Sequence, residues 1–215
     1  MKGRRFLIAT RSAGKIREFR QIFSQHALDV VDPATLGIPE TEAEDQLETF
    51  DNFEDNALAK ARYFFELSGG LPTFADDSGL SVDVLGGEPG VISKRWSGRA
   101  DLSGKALDTA NNEMLLSRMR EARRAEPSRF TDVGQYVCVA AFKDSGGELL
   151  RRAEVQGILL DAPRGKGGFG YDQYFESPAV GGTFAELTIE ETARVSHRSR
   201  AFSALVAALR AEGRI

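Results

Sequence analysis

The sequence predicts a single domain of the mixed α/β class, and three observations lead there. Short apolar runs of strand length alternate with longer stretches whose apolar side chains recur at helical spacing. No repeat, low-complexity segment or linker divides the 215 residues. That length is ample for a sizeable hydrophobic core without disulfides.

Arg5-Phe6-Leu7-Ile8-Ala9-Thr10 reads as a short buried strand, Arg11-Ser12-Ala13-Gly14 as a turn, and Lys15 opens a helix with Ile16, Phe19, Ile22 and Phe23 on one face. Ala27 to Val31 follows as a second strand. Asp32 to Gln46 is acidic, carries Pro33 and Pro39, and reads as a loop. Phe53 to Leu67 is the clearest helix of the first half, with Phe53, Ala57, Leu58, Ala61, Phe64 and Phe65 as its apolar stripe and Gly69-Gly70 as its stop. Lys60 falls off that stripe. Thr73-Phe74-Ala75 is expected to be a strand running into Asp76-Asp77-Ser78-Gly79, and Ser81 to Val84 another extended run, which puts the acids where a strand ends. Gly104 to Ala125 has the period of a long helix, and Phe130 to Phe142 with Leu149 to Leu160 that of an antiparallel pair across Asp144-Ser145-Gly146-Gly147. A glycine cluster, Gly165 to Gly170, precedes a closing amphipathic helix that carries Phe202, Leu205, Val206 and Leu209.

Composition excludes several classes. With 41% hydrophobic and 28% charged residues the chain is neither disordered nor fibrous. A formal charge of -4 and the lack of a long basic run argue against nucleic acid as a partner. Met1-Lys2-Gly3-Arg4-Arg5 puts positive charge ahead of Phe6 to Ala9, but that apolar stretch is too short for a signal-peptide core, and no run is long enough to span a bilayer. No membrane partner is expected. Cys138, the one cysteine, lies in the apolar run Tyr136 to Ala141, where a thiol packs as a small hydrophobe. The cytoplasm is the expected compartment.

Four segments carry chemistry. Thr10-Arg11-Ser12-Ala13-Gly14-Lys15 sits at a strand-to-helix junction, where backbone N–H groups, the helix dipole and a lysine together suit phosphate; an ordinary turn with a solvated lysine is the competing reading. Asp76 and Asp77 are adjacent, so on extended backbone they face opposite ways and should differ in role. Magnesium is usually held by one or two carboxylates plus substrate phosphates, which suits one of these aspartates with Glu48 of the acidic loop; a capped, solvated turn is the alternative. Gly165-Lys166-Gly167-Gly168-Phe169-Gly170 matches a dinucleotide fingerprint literally, but it follows a hairpin and opens no helix, which excludes a Rossmann site. It leaves a flexible loop in which Phe169 and Tyr171 can flank a planar base and Asp172 can accept from its edge, or in which both rings simply join the core. In Ser196-His197-Arg198 an imidazole and an arginine fork can read a purine carbonyl or a phosphate, while a histidine packed at a helix end is the common alternative.

Taken in order, these segments resemble the Ham1/RdgB family, the inosine triphosphate pyrophosphatases. The resemblance runs from Phe6 to Leu209. It rests on Ala9 to Lys15, Asn56-Ala57-Leu58-Ala59-Lys60-Ala61, Ala75 to Leu80, Leu85 to Val91, Gly168 to Asp172, Ala185-Glu186-Leu187-Thr188 and Ser196-His197-Arg198. It implies an elongated mixed sheet with flanking helices in two lobes around a central cleft, a homodimer, Mg²⁺ as cofactor, and hydrolysis of ITP, dITP or XTP to the monophosphate and pyrophosphate. By motif position, Thr10 to Lys15 and Lys60 would hold the triphosphate. Asp77 would be general base and metal-associated acid, Glu48 the second metal ligand, and Ser78 a substrate contact. Phe169-Gly170-Tyr171-Asp172 would form the base pocket, and His197 with Arg198 would read the six-oxo group. The chain departs from the family pattern at Arg11-Ser12, at Asn52, where threonine is usual, at Gln173 and at Thr192, where the family has a lysine for which Arg194 is the candidate substitute. These departures bear on substrate range more than on reaction type. Two other readings remain: the same site acting on a different nucleotide, and a nucleotide sensor without turnover.

Overall fold

Residues 5–215 are described by the computed structural model; the basic start, Met1 to Arg4, lies outside them. The strands are β1 (Arg5–Ile8), β2 (Asp29–Val31), β3 (Thr73–Val82), β4 (Val133–Asp144), β5 (Gly147–Leu159), β6 (Phe175–Ser177) and β7 (Gly182–Thr183). The helices are α1 (Ala13–Gln25), α2 (Phe53–Leu67), α3 (Gly104–Ala125), α4 (Ile189–Val195) and α5 (His197–Ala211). One sheet runs in the order β2-β1-β3-β4-β5-β6-β7. β1 is parallel to both β2 and β3, and β6 is antiparallel to β5 and β7. Parallel neighbours need a crossover, which α1 and α2 provide. Ser145-Gly146 alone joins the sheet neighbours β4 and β5, a link only antiparallel strands accept. The fold is of the mixed α/β class that the element pattern predicts, with the mixed sheet and flanking helices that the resemblance implies. No helix of the described residues is long and apolar enough to cross a membrane.

The helix ends follow from their sequences. Ser12 caps α1 by accepting from the Lys15 N–H, and Asn52 caps α2 by accepting from Asp55 N–H at 2.7 Å. Asn52 thus does the capping work expected of a threonine. Ser196 caps α5 in the same way, through the Ser199 N–H at 3.1 Å.

The described residues divide into two compact units: 5–77 with 138–153 and 193–215, and 78–137 with 154–192. The first is built around phenylalanine. Phe74 of β3 lies 4.6 Å from Phe23, 4.7 Å from Phe142 and 5.6 Å from Phe6 between ring centroids, and Phe19 meets Phe202 edge-on at 4.8 Å. Each such buried ring contributes roughly 1.5–3 kcal/mol by leaving water. α1 and α5 both turn their apolar stripes into this cluster, as their spacing predicts. In the second unit Tyr136, Phe175 and Phe184 form a smaller ring cluster, with centroids 4.4 to 5.7 Å apart.

Three features differ from the sequence-based expectation. The segment from Thr73 to Val82 is one continuous strand, so Asp76 and Asp77 lie mid-strand and buried, not in a terminal turn. Asp-Ser-Gly favours turns locally, but the partners waiting for both carboxylates override that preference. Lys60 belongs to the buried face of α2, beside Phe53, Asn56, Ala57, Ala61 and Phe64, because two acids receive it there. The short strands β6 and β7, three and two residues long, have no periodicity to reveal them.

Candidate active site

β3 delivers its two acids to separate partner sets. Asp76 shares its side of the strand with Phe74 and pairs with Lys15 of α1 at 3.0 Å and Arg198 of α5 at 3.3 Å. Arg198 also pairs with Glu18, which accepts from Ser196 Oγ at 2.8 Å. Burial would raise the Asp76 carboxyl, yet Lys15, Arg198 and Lys60 outweigh it and hold its pKa far below the ordinary carboxylate range. Asp76 is therefore a fixed anion that orders two cations. Arg198 is buried and engaged on both sides, and burial with the adjacent Arg198 charge pushes the His197 pKa well down.

Asp77 has other company. It accepts from Asn56 Nδ2 at 2.9 Å and lies 3.8 Å from Lys60 Nζ. Lys60 also holds Glu48 through a short hydrogen bond. Asn56 and Lys60 are one helical turn apart on α2, so one face presents both to the acid. Burial raises the Asp77 carboxyl, Lys60 lowers it and Glu48 raises it again, with a net upward shift. A carboxylate with a raised pKa accepts a proton more readily, which suits a base. Ser78 follows on β3, half-buried.

The junction between β1 and α1 keeps its expected form. Thr10 Oγ1 accepts from the Ser12 N–H at 3.2 Å and Ser12 Oγ from the Lys15 N–H at 3.4 Å. Ala13 and Gly14 begin the helix, and the first N–H groups of a helix have no acceptor within it. With the dipole behind them they suit an anion. Arg11 behaves differently from its neighbours: its guanidinium is taken up by Glu44 and by the carbonyls of Ile38 and Pro39.

The donor set fits magnesium. Glu48 and Asp77 both meet the one Lys60 ammonium, which brings two carboxylates to a common point. Among the described residues no group of three or more His, Cys, Asp or Glu side chains is placed to hold a metal. Two carboxylates are the number magnesium takes when water and phosphates complete its shell. With every group ionised, the cations Lys15, Lys60 and Arg198 face the carboxylates Glu18, Glu48, Asp76 and Asp77. A divalent ion held there would turn that negative balance positive.

In the second unit the glycine loop is fastened to its surroundings. Asp172 accepts from the Phe169 N–H at 2.9 Å and from Tyr136 Oη at 3.0 Å. Gly168 has a φ of 69°, and a Cβ there would meet the Asp172 carboxylate at 2.5 Å, so the turn needs glycine. Gly170 is held at both ends, its N–H by Asp108 at 3.0 Å and its carbonyl by Asn112 Nδ2 at 2.9 Å. Tyr171 is buried and donates to the Ser93 carbonyl at 2.7 Å; it joins the core, whereas Phe169 is 36% exposed and is the ring this loop presents. Asp172 shapes the loop with both carboxylate oxygens.

Thr10 to Lys15, Glu48, Lys60, Asp77, His197 and Arg198 thus belong to the first unit, and Ser78 with Phe169 to Asp172 to the second. Sequence reasoning quoted Asn56 within a motif without a role, and passed over Glu18, Asp108 and Asn112. For Asn56 and Lys60 the available signal was two polar residues four apart among apolar ones; Asp108 and Asn112 are likewise four apart on α3.

Comparison with known proteins agrees with this frame. The model of the Ham1 family matches residues 6–208. A dITP/XTP pyrophosphatase of Ralstonia nicotianae is 41% identical over 211 residues, covering 96% of this chain and 97% of that protein. A counterpart in Thermus thermophilus is also 41% identical, over 97% of this chain and 93% of its own length. Among solved structures, a HAM1 protein from Coxiella burnetii superposes with a TM-score of 0.77 at 28% identity, covering 95% of this chain and 98% of that one. A match across nearly the whole length, in sequence and in structure, means that this chain belongs to the Ham1 family.

Proposed function

We propose that this chain is a magnesium-dependent pyrophosphatase that converts non-standard purine nucleoside triphosphates (dITP, ITP and XTP) to the monophosphate and pyrophosphate, clearing them from the nucleotide pool. The observation that carries the reading is Asp77: a buried carboxyl of raised pKa, oriented by Asn56 and Lys60 and placed with Glu48 around one ammonium. The relatives named dITP/XTP pyrophosphatase supply the substrate class.

The residues divide the work as follows. The Ala13 and Gly14 N–H groups, Lys15 and Lys60 bind the phosphates. Asn56 fixes the Asp77 carboxylate so that it takes a proton from water as the water oxygen bonds to the α-phosphorus. The bond from that phosphorus to the bridging oxygen breaks, and pyrophosphate leaves. Magnesium, held by Asp77 and Glu48, would neutralise phosphate charge and orient the leaving group. Phe169 stacks on the base, in a loop whose shape Asp172 sets. His197, buried beside Arg198, supplies a neutral imidazole for reading the six-oxo group. A homodimer in the cytoplasm is the setting the family resemblance implies.

The test is to incubate the purified protein with Mg²⁺ and a panel of purine and pyrimidine triphosphates and identify the products. Pyrophosphate from dITP, ITP and XTP, with dATP and dGTP far slower, is the expected result. Orthophosphate as the sole direct product would sink attack at the α-phosphorus, and binding without turnover would favour a sensor.

A further inference from the structure

We propose that Arg11 is a positioning residue that fastens the loop carrying Glu48 onto the phosphate-binding junction, and that it does not itself hold phosphate. Arg11 lies between β1 and the cap of α1. Its Nε and Nη2 grip Glu44 as a fork, at 3.0 and 2.7 Å. Nη1 donates to the Ile38 carbonyl at 2.9 Å and Nη2 to the Pro39 carbonyl at 2.9 Å. The guanidinium also stacks 5.5 Å from the centre of the Phe64 ring. A planar fork engaged on one carboxylate and two carbonyls has its geometry committed to protein.

The loop needs such a clamp. Its one regular piece, the 3₁₀ turn Glu42–Gln46, buries none of its residues, so apolar burial does little to order it. Polar contacts do so instead. Beyond Arg11, Thr41 Oγ1 meets Tyr63 Oη at 3.0 Å, and the Asn56 side chain bonds both the N–H and the carbonyl of Phe50 while also donating to Asp77. Glu48 lies between the Arg11 anchor and the Asn56 anchor. Releasing the first leaves Glu48 on a backbone segment held from one end and by Thr41, with its side chain tied to Lys60, and a metal ligand on a loosened segment binds more weakly.

This inference rests on the reading of Glu48 as a metal ligand, and the experiment separates the two. Full-length protein and the variants Arg11→Ala, Arg11→Lys, Glu44→Ala, the double variant Arg11→Ala/Glu44→Ala, and Glu48→Gln are titrated with Mn²⁺ by electron paramagnetic resonance. Hydrogen exchange of residues 38–50 is followed in parallel. Arg11→Ala and Glu44→Ala should each weaken Mn²⁺ binding by about tenfold, the lower end for residues that orient a ligand, with the double variant no worse than either. Both should speed exchange across 38–50 and leave the nucleotide KM unchanged at saturating Mg²⁺. Arg11→Lys should resemble Arg11→Ala, because an ammonium keeps the charge and loses the fork. A KM that rises in Arg11→Ala, is rescued by lysine and adds to the effect of Glu44→Ala would make Arg11 a phosphate ligand and overturn the proposal. If Glu48→Gln weakens Mn²⁺ binding and Arg11→Ala does not, the metal assignment stands and the clamp falls. If Glu48→Gln binds Mn²⁺ like the parent, the metal assignment falls and takes this role for Arg11 with it.

Discussion

Asp77 on β3 and Asp172 in the glycine loop are both buried or half-buried carboxylates with a proposed part in function, and they are held by opposite means. Around Asp77 stand Lys60, Glu48 through that same lysine, and Asn56 as a neutral donor. Around Asp172 stand a backbone N–H and a tyrosine hydroxyl, both neutral donors. The first set responds to charge, so a cation or a phosphate rearranges its balance. The second is a shape, complete before any ligand comes. Charged company suits the chemistry proposed for Asp77, and neutral company suits a carboxylate that keeps a loop in shape.

Substitutions that treat the two aspartates alike should therefore give different kinetics. Asp77→Asn keeps the size and the Asn56 side and removes the base, so kcat should fall by about 10²- to 10⁴-fold while the protein still binds nucleotide. Full activity in that variant, measured as pyrophosphate release, would remove Asp77 from the mechanism. Asp172→Ala frees the Phe169 N–H and the Tyr136 hydroxyl and unmakes the loop. Hydrogen bonds to a charged group contribute about 1.5–3 kcal/mol, which reads as a KM raised roughly ten- to a hundredfold with kcat little changed. A loss confined to kcat would place Asp172 with the chemistry and erase the contrast.

The smallest effect is on stability against pH. The His197 pKa is far below its ordinary value in the folded protein and returns to about 6.5 when unfolded. Below about pH 6.5 the unfolded chain thus carries a proton that the folded one does not. Stability then falls as pH falls, by at most about 1.4 kcal/mol per pH unit for one proton, until the folded value is reached. Asp76 acts in the same direction at lower pH: its folded pKa is depressed, so its contribution is present above about pH 4 and is lost as pH falls through the folded value. Urea unfolding of the parent and of His197→Gln between pH 8 and 5 should show a shallower slope in the variant. Equal slopes would mean that His197 is not the source.

Most of the fold could be read from the chain. The helices α1, α2, α3 and α5 and the Asp144 to Gly147 turn are where periodicity and turn chemistry place them, because each is a local pattern. The opposed sides of Asp76 and Asp77 were also legible, since they need only the alternation of a strand. Burial of polar groups was not. Lys60 reads as surface in any hydrophobic count, and only the arrival of Glu48 and Asp77 from distant segments makes its burial favourable. Asp76 to Gly79 reads as a turn for the same reason. Tyr171 and Phe169 are indistinguishable by type, yet one hydroxyl has a carbonyl to reach and goes inside. Arg11 reads as a phosphate ligand because its neighbours do; its actual acceptors lie 27 to 33 positions away.

The continuity of β3 through Asp76 and Asp77 gives the site a parity. Side chains of a strand change sides with every residue, so the count of residues from Thr73 decides which aspartate meets Asn56 and Lys60 and which meets Lys15 and Arg198. Losing one residue ahead of the pair would turn each aspartate to the other side and carry Asp77 to the place of Asp76, whereas losing two would restore the sides at a shifted register. Odd and even changes of length are thus unequal here, a rule that no point substitution obeys and that any recombination through this strand must respect.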